Sequence, residues 1–321
     1  MSIRVLRTDG AWWGEAGGRA VPVATEARTT AELLADRAAV EKAAARAAGG
    51  DADDAVDVAE LAPLSPVTTP CRVVAQMVNY RSHARESGFD PAAVRPTFFR
   101  KSSGSVSGPG DPVVKPPHVR LLDYEIELGL VMGAELPVGA TVTDDELPSY
   151  VAGLVVTNDV SARDVQLTKG QFYESKSYPT FTPTGPFLVL PTPEEFARLD
   201  DLRLRLSVNG VLRQDRTLTD MIVRPAEALT ALARFQSLQP GDLLLTGTPG
   251  GTALKSPGKL KQRIAELLPP AVKWKIFLPG QARNPAYLRD GDVVTAHIGT
   301  ADGALDLGTQ RTAVVFAGDA T

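Results

Sequence analysis

The sequence predicts a strand-rich α+β fold on three observations. Apolar runs of strand length recur along the chain, in LDYEIELGLVM, VAGLVVTNDV, FLVL, DLLLTGT and DVVTAHI, with Gly and Pro turns between them. One hairpin is explicit: in LRLRLSVNGVLRQD, Leu202, Leu204, Leu206 and Val208 alternate with Arg203, Arg205 and Ser207 ahead of the turn pair Asn209-Gly210. From about residue 70 onward strand signals dominate. With 321 residues, 43% hydrophobic and 22% charged, the chain lies in the globular range and is long enough to bury a core.

In chain order, Trp12-Trp13-Gly14 belongs to a short strand-like start. Thr29 and Glu32 have capping-box spacing and open a helix over an Ala-rich run that Gly49-Gly50 ends. DADDAVDVAELAPLSPVTTP follows as a solvated connector, because its carboxylates repel and its prolines block a helix. A boundary near residue 70 therefore divides a small N-terminal α/β lobe with its linker, 1–70, from a larger unit, 71–321. Within that unit an extended segment at about 252–289 carries an amphipathic helix, KLKQRIAELL, stopped by Pro269-Pro270, and then a strand, VKWKIFL.

Composition narrows the function. The 34 Lys and Arg against 38 Asp and Glu give a net charge of −4, the wrong sign for a nucleic-acid backbone binder. Cys71 is the single cysteine, so neither an intrachain disulfide nor a Cys-based metal site can form. No apolar run follows Arg4 and Arg7, and no segment approaches the ~20 apolar residues of a membrane span, so a cytoplasmic protein without membrane contact is expected. With only His83, His118 and His297 available, a metal site must use carboxylates.

In LDYEIELGLV, period-two geometry places Asp123, Glu125 and Glu127 on one strand face, ~7 Å apart. Such a row either holds a hard divalent ion or is a solvent-facing edge. Asp159 closes an apolar strand, as a site residue or as an Asx turn, and could complete three oxygens around Mg²⁺ or Mn²⁺. His83 and Glu86 share a helix face at i, i+3, as a general base with its carboxylate or as an ordinary surface turn. His118 and His297 read as structural. Arg163, Gln166 and Lys176 are donors suited to a carboxylate-bearing substrate or a developing enolate, with surface solvation as the competing account. GDLLLTGTPGGTA lacks the phosphate-loop pattern, and its glycines instead make a tight turn presenting Thr246 or Thr248.

Taken in order, NYRSHARESG, FFRKSSGSVSGPGDPV, DYEIELGLVMG, TNDVSARDVQ, ESKSYPTFTPTGPFLV and GDLLLTGTPGG resemble the fumarylacetoacetate hydrolase family over about residues 78–251, and GDVVTAHI also fits. The resemblance implies a β-roll core, a homodimer, and one Mg²⁺ or Mn²⁺ per subunit on Glu125, Glu127 and Asp159, with Asp123 as a spare. It further implies a water-activating pair, His83 and Glu86, and polar substrate-holding positions at Lys101, Arg163, Gln166, Lys176 and Thr248. The expected activity is hydrolysis of a carbon–carbon bond in a 2,4-diketo acid, with His83, Glu86 and Lys176 catalytic and a small keto acid as substrate. Decarboxylation or tautomerisation of an oxaloacetate-like acid, isomerisation or hydration of a 2-oxo-enoate, and a non-catalytic binding protein are the alternatives. QFYES and YPTFTPTGP depart from the family's commoner sequences and imply a different pocket wall.

Overall fold

Seven successive residues, Ile126–Met132, are buried, so this strand is covered on both faces and must lie inside a sheet. The computed structural model describes residues 2–50, 52–256 and 269–318. In it, Ile126–Met132 pairs antiparallel with Val151–Asn158 on one side and Leu243–Leu245 on the other. From Val151–Asn158 the sheet continues through Leu188–Leu190, Ile3–Thr8, Ala11–Ala16, Arg19–Pro22 and Val56–Asp57. From Leu243–Leu245 it continues through Val73–Gln76 to an edge at Phe98–Lys101, ten strands in all. The alternative of a solvent-facing edge for the acidic strand is thereby overturned.

A second sheet runs Val211–Thr217, Arg203–Val208, Val293–Gly299, Asp306–Phe316, Val113–Lys115. One apolar cluster joins the two sheets, with Leu128, Leu130, Leu154 and Val156 from the first and Leu204, Leu206, Val294 and Ile298 from the second. A separate cluster on the first sheet takes Val5, Val131, Val155 and Leu243 together with Leu33, Val40 and Ala43 of the N-terminal helices. The strand-rich α+β architecture is thus present, with helices packed outside two sheets.

The N-terminal helix starts and stops where expected but is broken in two at Asp36, whose φ of −97° and ψ of 48° are not helical. Thr29 and Glu32 form a capping box, and Thr30–Ala35 is followed by a second helix, Arg37–Gly49, ending on Gly50 with φ +75°. The hairpin turns through Asn209 and Gly210 at φ +51° and +78°, as a type I′ turn requires. The connector over 51–70 is a partial correction. Ser65, Pro66 and Val67 are buried, and Thr30 Oγ1 donates to Pro66 O at 2.9 Å, so its second half is docked rather than solvated. Prolines that preclude a helix leave an extended chain able to pack.

A second correction concerns VKWKIFL, which is helical within Pro270–Ala282. Pro270 occupies the first turn, where its fixed φ and missing N–H are tolerated, and Trp274, Phe277 and Leu278 recur at helical spacing. KLKQRIAELL falls in 257–268, outside the described residues.

Two outcomes test this packing. A Cβ on Gly14 would meet Ala44 N at 2.7 Å, so Gly14→Ala should lower unfolding stability by ~1–3 kcal/mol in urea titrations. Burial pushes the Cys71 thiol up to about 11, so at pH 8 the native protein should react with Ellman's reagent far more slowly than the urea-unfolded chain.

Candidate active site

The three metal-competent acids meet because of strand register. Pairing of Ile126 with Asn158 brings the residues just beyond each strand together, Glu125 and Asp159. Asp159 N–H donates to Glu125 O at 2.8 Å, and Glu125 N–H to Asn158 Oδ1 at 2.9 Å. Glu127, one pleat further along, completes the group. Each of Glu125, Glu127 and Asp159 is buried and offers an oxygen within 4.8 Å of the others.

The acids do not form the single straight row expected from alternation. The run is broken into Leu122–Asp123, which pairs with Ser161–Ala162, and Ile126–Met132, with Glu125 in the gap. Asp123 turns away from the trio. Its Oδ1 accepts the N–H groups of Tyr124 and Ala253 at 2.9 and 2.8 Å, and its Oδ2 accepts that of Leu254 at 3.1 Å and Arg163 Nε at 2.8 Å. It is a buried structural acceptor rather than a spare ligand.

Three cations enter from separate elements. Arg163 bridges Asp123 and Glu125 and donates from Nη1 to Gln166 Oε1 at 2.9 Å. Lys176 Nζ donates to Glu125 Oε2 at 2.6 Å and Asp159 Oδ2 at 2.5 Å, and lies 5.3 Å from the centre of the Phe99 ring. Lys101 Nζ donates to Asp159 Oδ1 at 2.5 Å and Phe181 O at 2.8 Å. Burial opposes the charge on Glu125, yet Arg163 and Lys176 outweigh it and hold this carboxyl well below the usual range. Burial also disfavours charge on Lys176, but Asp159 and Glu125 raise its pKa. For Lys101 burial prevails and the pKa falls.

Four buried carboxylates thus meet three cations, and the imbalance falls on Glu127. Burial, then Asp159 and Glu125, raise its pKa well above the carboxylate range, although Gly247 N–H donates to Oε2 at 2.7 Å. A divalent cation beside Glu127 would supply the positive charge that this carboxylate lacks among the described residues. The donor set, three hard carboxylate oxygens with no sulfur or imidazole, fits Mg²⁺ or Mn²⁺.

His83 stands on the helix Arg81–Glu86, within electrostatic reach of Glu125, Arg163, Lys176 and Asp123. Its Nδ1 is buried and has no hydrogen-bond partner among the described residues. Burial lowers the imidazole pKa, Glu125 opposes this, and Arg163 and Lys176 reinforce it, so the ring is neutral at neutral pH. Glu86 does not bond to His83 among the described residues. Its Oε2 instead accepts Gly251 N–H at 2.8 Å, while Ser82 Oγ accepts Gly250 N–H at 2.8 Å. Thr248 Oγ1 donates to Ile126 O at 2.9 Å and accepts from Gln214 Nε2 at 2.8 Å, so it braces the strand. Thr246 Oγ1 likewise donates to Leu128 O. His118 Nε2 meets Tyr178 Oη and His297 Nε2 meets Asp306 Oδ1, both away from the acids.

Gln214 is the residue that alternation conceals. Its Oε1 accepts Ile126 N–H at 3.0 Å and its Nε2 reaches Thr248 and Pro249 O. A register shift opposite Leu206 and Ser207 leaves Arg213 unpaired in the hairpin and re-aims Gln214 inward. Because Arg163 compensates two buried carboxylates, Arg163→Leu should cost ~3–5 kcal/mol of unfolding stability, read by urea titration.

Comparison with known proteins places this geometry. The family model described as fumarylacetoacetate (FAA) hydrolase C-terminal matches residues 72–315. The chain is 36% identical over 247 residues, 77% of its length and 74% of the relative's, to 2,4-didehydro-3-deoxy-L-rhamnonate hydrolase of a Sphingomonas strain. It is 36% identical over 203 residues to a mitochondrial oxaloacetate tautomerase of Bos taurus, a match covering 62% of this chain and 63% of that protein's length. A solved structure of a probable 2-hydroxyhepta-2,4-diene-1,7-dioate isomerase from Mycobacterium abscessus superposes with a TM-score of 0.72 at 30% identity, covering 99% of this chain and 100% of that one. Among the described residues no helix is long and apolar enough to cross a membrane. The chain belongs to the fumarylacetoacetate hydrolase family of enzymes.

Proposed function

We propose that this enzyme hydrolyses the carbon–carbon bond between C3 and C4 of a 2,4-diketo acid, releasing pyruvate or a related 2-oxo acid and a carboxylic acid. The observation that carries this reading is His83, a neutral imidazole beside the acid cluster whose buried Nδ1 has no hydrogen-bond partner among the described residues. An enolate-forming reaction alone needs no such base for water. The 36% identical hydrolase, whose name specifies a 2,4-dioxo acid, supports the same substrate class.

Glu125, Glu127 and Asp159 would hold Mg²⁺ or Mn²⁺, which supplies Lewis acidity toward the 2-oxo acid end of the substrate. His83 takes a proton from water as its oxygen attacks the 4-carbonyl. Lys176, kept cationic by Asp159 and Glu125, stabilises negative charge on that carbonyl oxygen. When the C3–C4 bond breaks, its electron pair passes to C3, which takes up a proton, and the 4-carbonyl leaves as the carboxylic acid. Arg163 and Gln166, bonded to each other, and Lys101 line the acid cluster as substrate-orienting donors. Glu86 is a positioning residue, fixing the His83 helix to Gly251. We assign Thr248 a supporting role through Ile126 and Gln214. A cytoplasmic homodimer belongs to the same proposal, tested by light scattering for twice the 34.0 kDa chain mass.

Tautomerisation of oxaloacetate is the second reading, favoured by the 36% identical tautomerase. It uses the same enolate chemistry without attack by water. Chelator-treated protein should release no pyruvate from 2,4-dioxopentanoate, and Mg²⁺ or Mn²⁺ should restore release; no release from metal-loaded protein would exclude the hydrolytic reading for that acid. His83→Asn should abolish hydrolysis while Mn²⁺ binding, read by electron paramagnetic resonance, persists. Glu127→Gln should lose Mn²⁺ binding and hydrolysis together. Oxaloacetate tautomerisation surviving in His83→Asn, with no hydrolysis by the parent, would establish the second reading.

A further inference from the structure

The helix Arg81–Glu86 carries different chemistry on its different faces. His83 adjoins the acid cluster, and Ser82 and Glu86 attach to the Gly250–Gly251 turn. Arg81 and Arg85, four residues apart and so on one face, line a surface cavity of about 750 Å³ whose lining contains none of the acid-cluster residues. Arg95 reaches the same cavity from the segment that follows the helix.

Among the described residues none of these three arginines forms an ion pair. Arg81 Nη1 donates to the carbonyls of Thr219 and Met221 at 2.8 Å each, and Arg95 Nη1 to those of Ala92 and Val94 at 3.2 and 3.1 Å. Carbonyls accept these hydrogen bonds without cancelling the charge. Arg85 is exposed, and its guanidinium has no partner among the described residues. Two carboxylates share the cavity, Asp90 and Glu227, and Asp90 Oδ1 already accepts Ala92 N–H at 3.0 Å. The cavity therefore has an excess of positive charge in a chain of net charge −4. Its remaining wall includes Val94 and Ile222, and its volume lies within the ~300–1,000 Å³ of small-ligand sites.

Planar guanidinium groups pair with carboxylates in two-point fashion, and an apolar wall favours a ligand with a hydrocarbon body. We propose that this cavity binds a small organic dicarboxylate, and that its occupancy stiffens the helix carrying His83. A dianion spanning Arg85 and Arg95 would tie the helix to the segment after it, through an Arg85 side chain that has no other partner among the described residues. The catalytic meaning of that stiffening rests on His83 as the base proposed above; the binding site does not.

Phthalate is a suitable probe, titrated calorimetrically into the full chain with Mg²⁺ present. Affinity should fall at least about tenfold in an Arg85→Gln, Arg95→Gln double variant, through loss of charge-assisted bonds, and rise in Glu227→Gln. Amide hydrogen exchange over 81–88 should slow when phthalate binds the parent. Equal affinity in the double variant, or no binding by the parent, would place the anion elsewhere and overturn the site. Benzoate binding as tightly as phthalate would overturn the two-charge requirement. Unchanged exchange over 81–88 in phthalate-saturated parent would overturn the coupling to the helix. Neither readout measures hydrolysis, so failure of the diketo-acid reading would leave both intact.

Discussion

Charge compensation by Arg163 is the constraint on which the site depends. Its guanidinium spans Asp123 and Glu125 across the break between two strand segments, and so sets one cation against two carboxylates held out of water. With those two held, Lys176 and Lys101 can close on Asp159, and Glu127 is left as the acid of this cluster with no ion-pair partner among the described residues. The metal-competent trio is thus part of a larger ionic network. Strand register sets its geometry, and the protein's own cations set which of its carboxylates are already compensated.

Much of this was legible from the chain because carboxylates are rare within strands that are otherwise apolar. Glu127 inside a buried strand and Asp159 at the end of another stand out on chemistry alone, and strand register then explains their proximity. The role of Asp123 was not legible, since it depends on a strand break and on amides of Ala253 and Leu254, 130 residues away. Gln214 was hidden for a related reason: strict alternation cannot anticipate a bulge. In VKWKIFL a short apolar run fits either period, and the proline at the start of the helix decided between them.

The N-terminal 70 residues are structurally bound to the rest. Ile3–Thr8 pairs with Leu188–Leu190, two strands from the one that bears Glu127, and the Arg37–Gly49 helix packs so closely that only glycine fits at position 14. Their helices also cover Val131 and Val155, which lie on the opposite face of the site-bearing strands from Leu130 and Leu154. The support of the acid cluster therefore extends through the thickness of the sheet to residues that bear none of its chemistry.

Leu243–Leu245 lies between Ile126–Met132 and Val73–Gln76, and Arg72 N–H bonds to Asp242 across 170 residues of sequence. On a ribosome, the two halves of the large sheet stay unjoined until this three-residue strand has emerged. The turn after it provides the Gly247 amide for Glu127, and Gly250 and Gly251 anchor the His83 helix. Pairing over such separations is slow, because loop closure precedes the contacts that reward it. A nascent chain therefore carries all three carboxylates long before the Gly247 amide and the Gly250–Gly251 turn are there to hold Glu127 and the His83 helix.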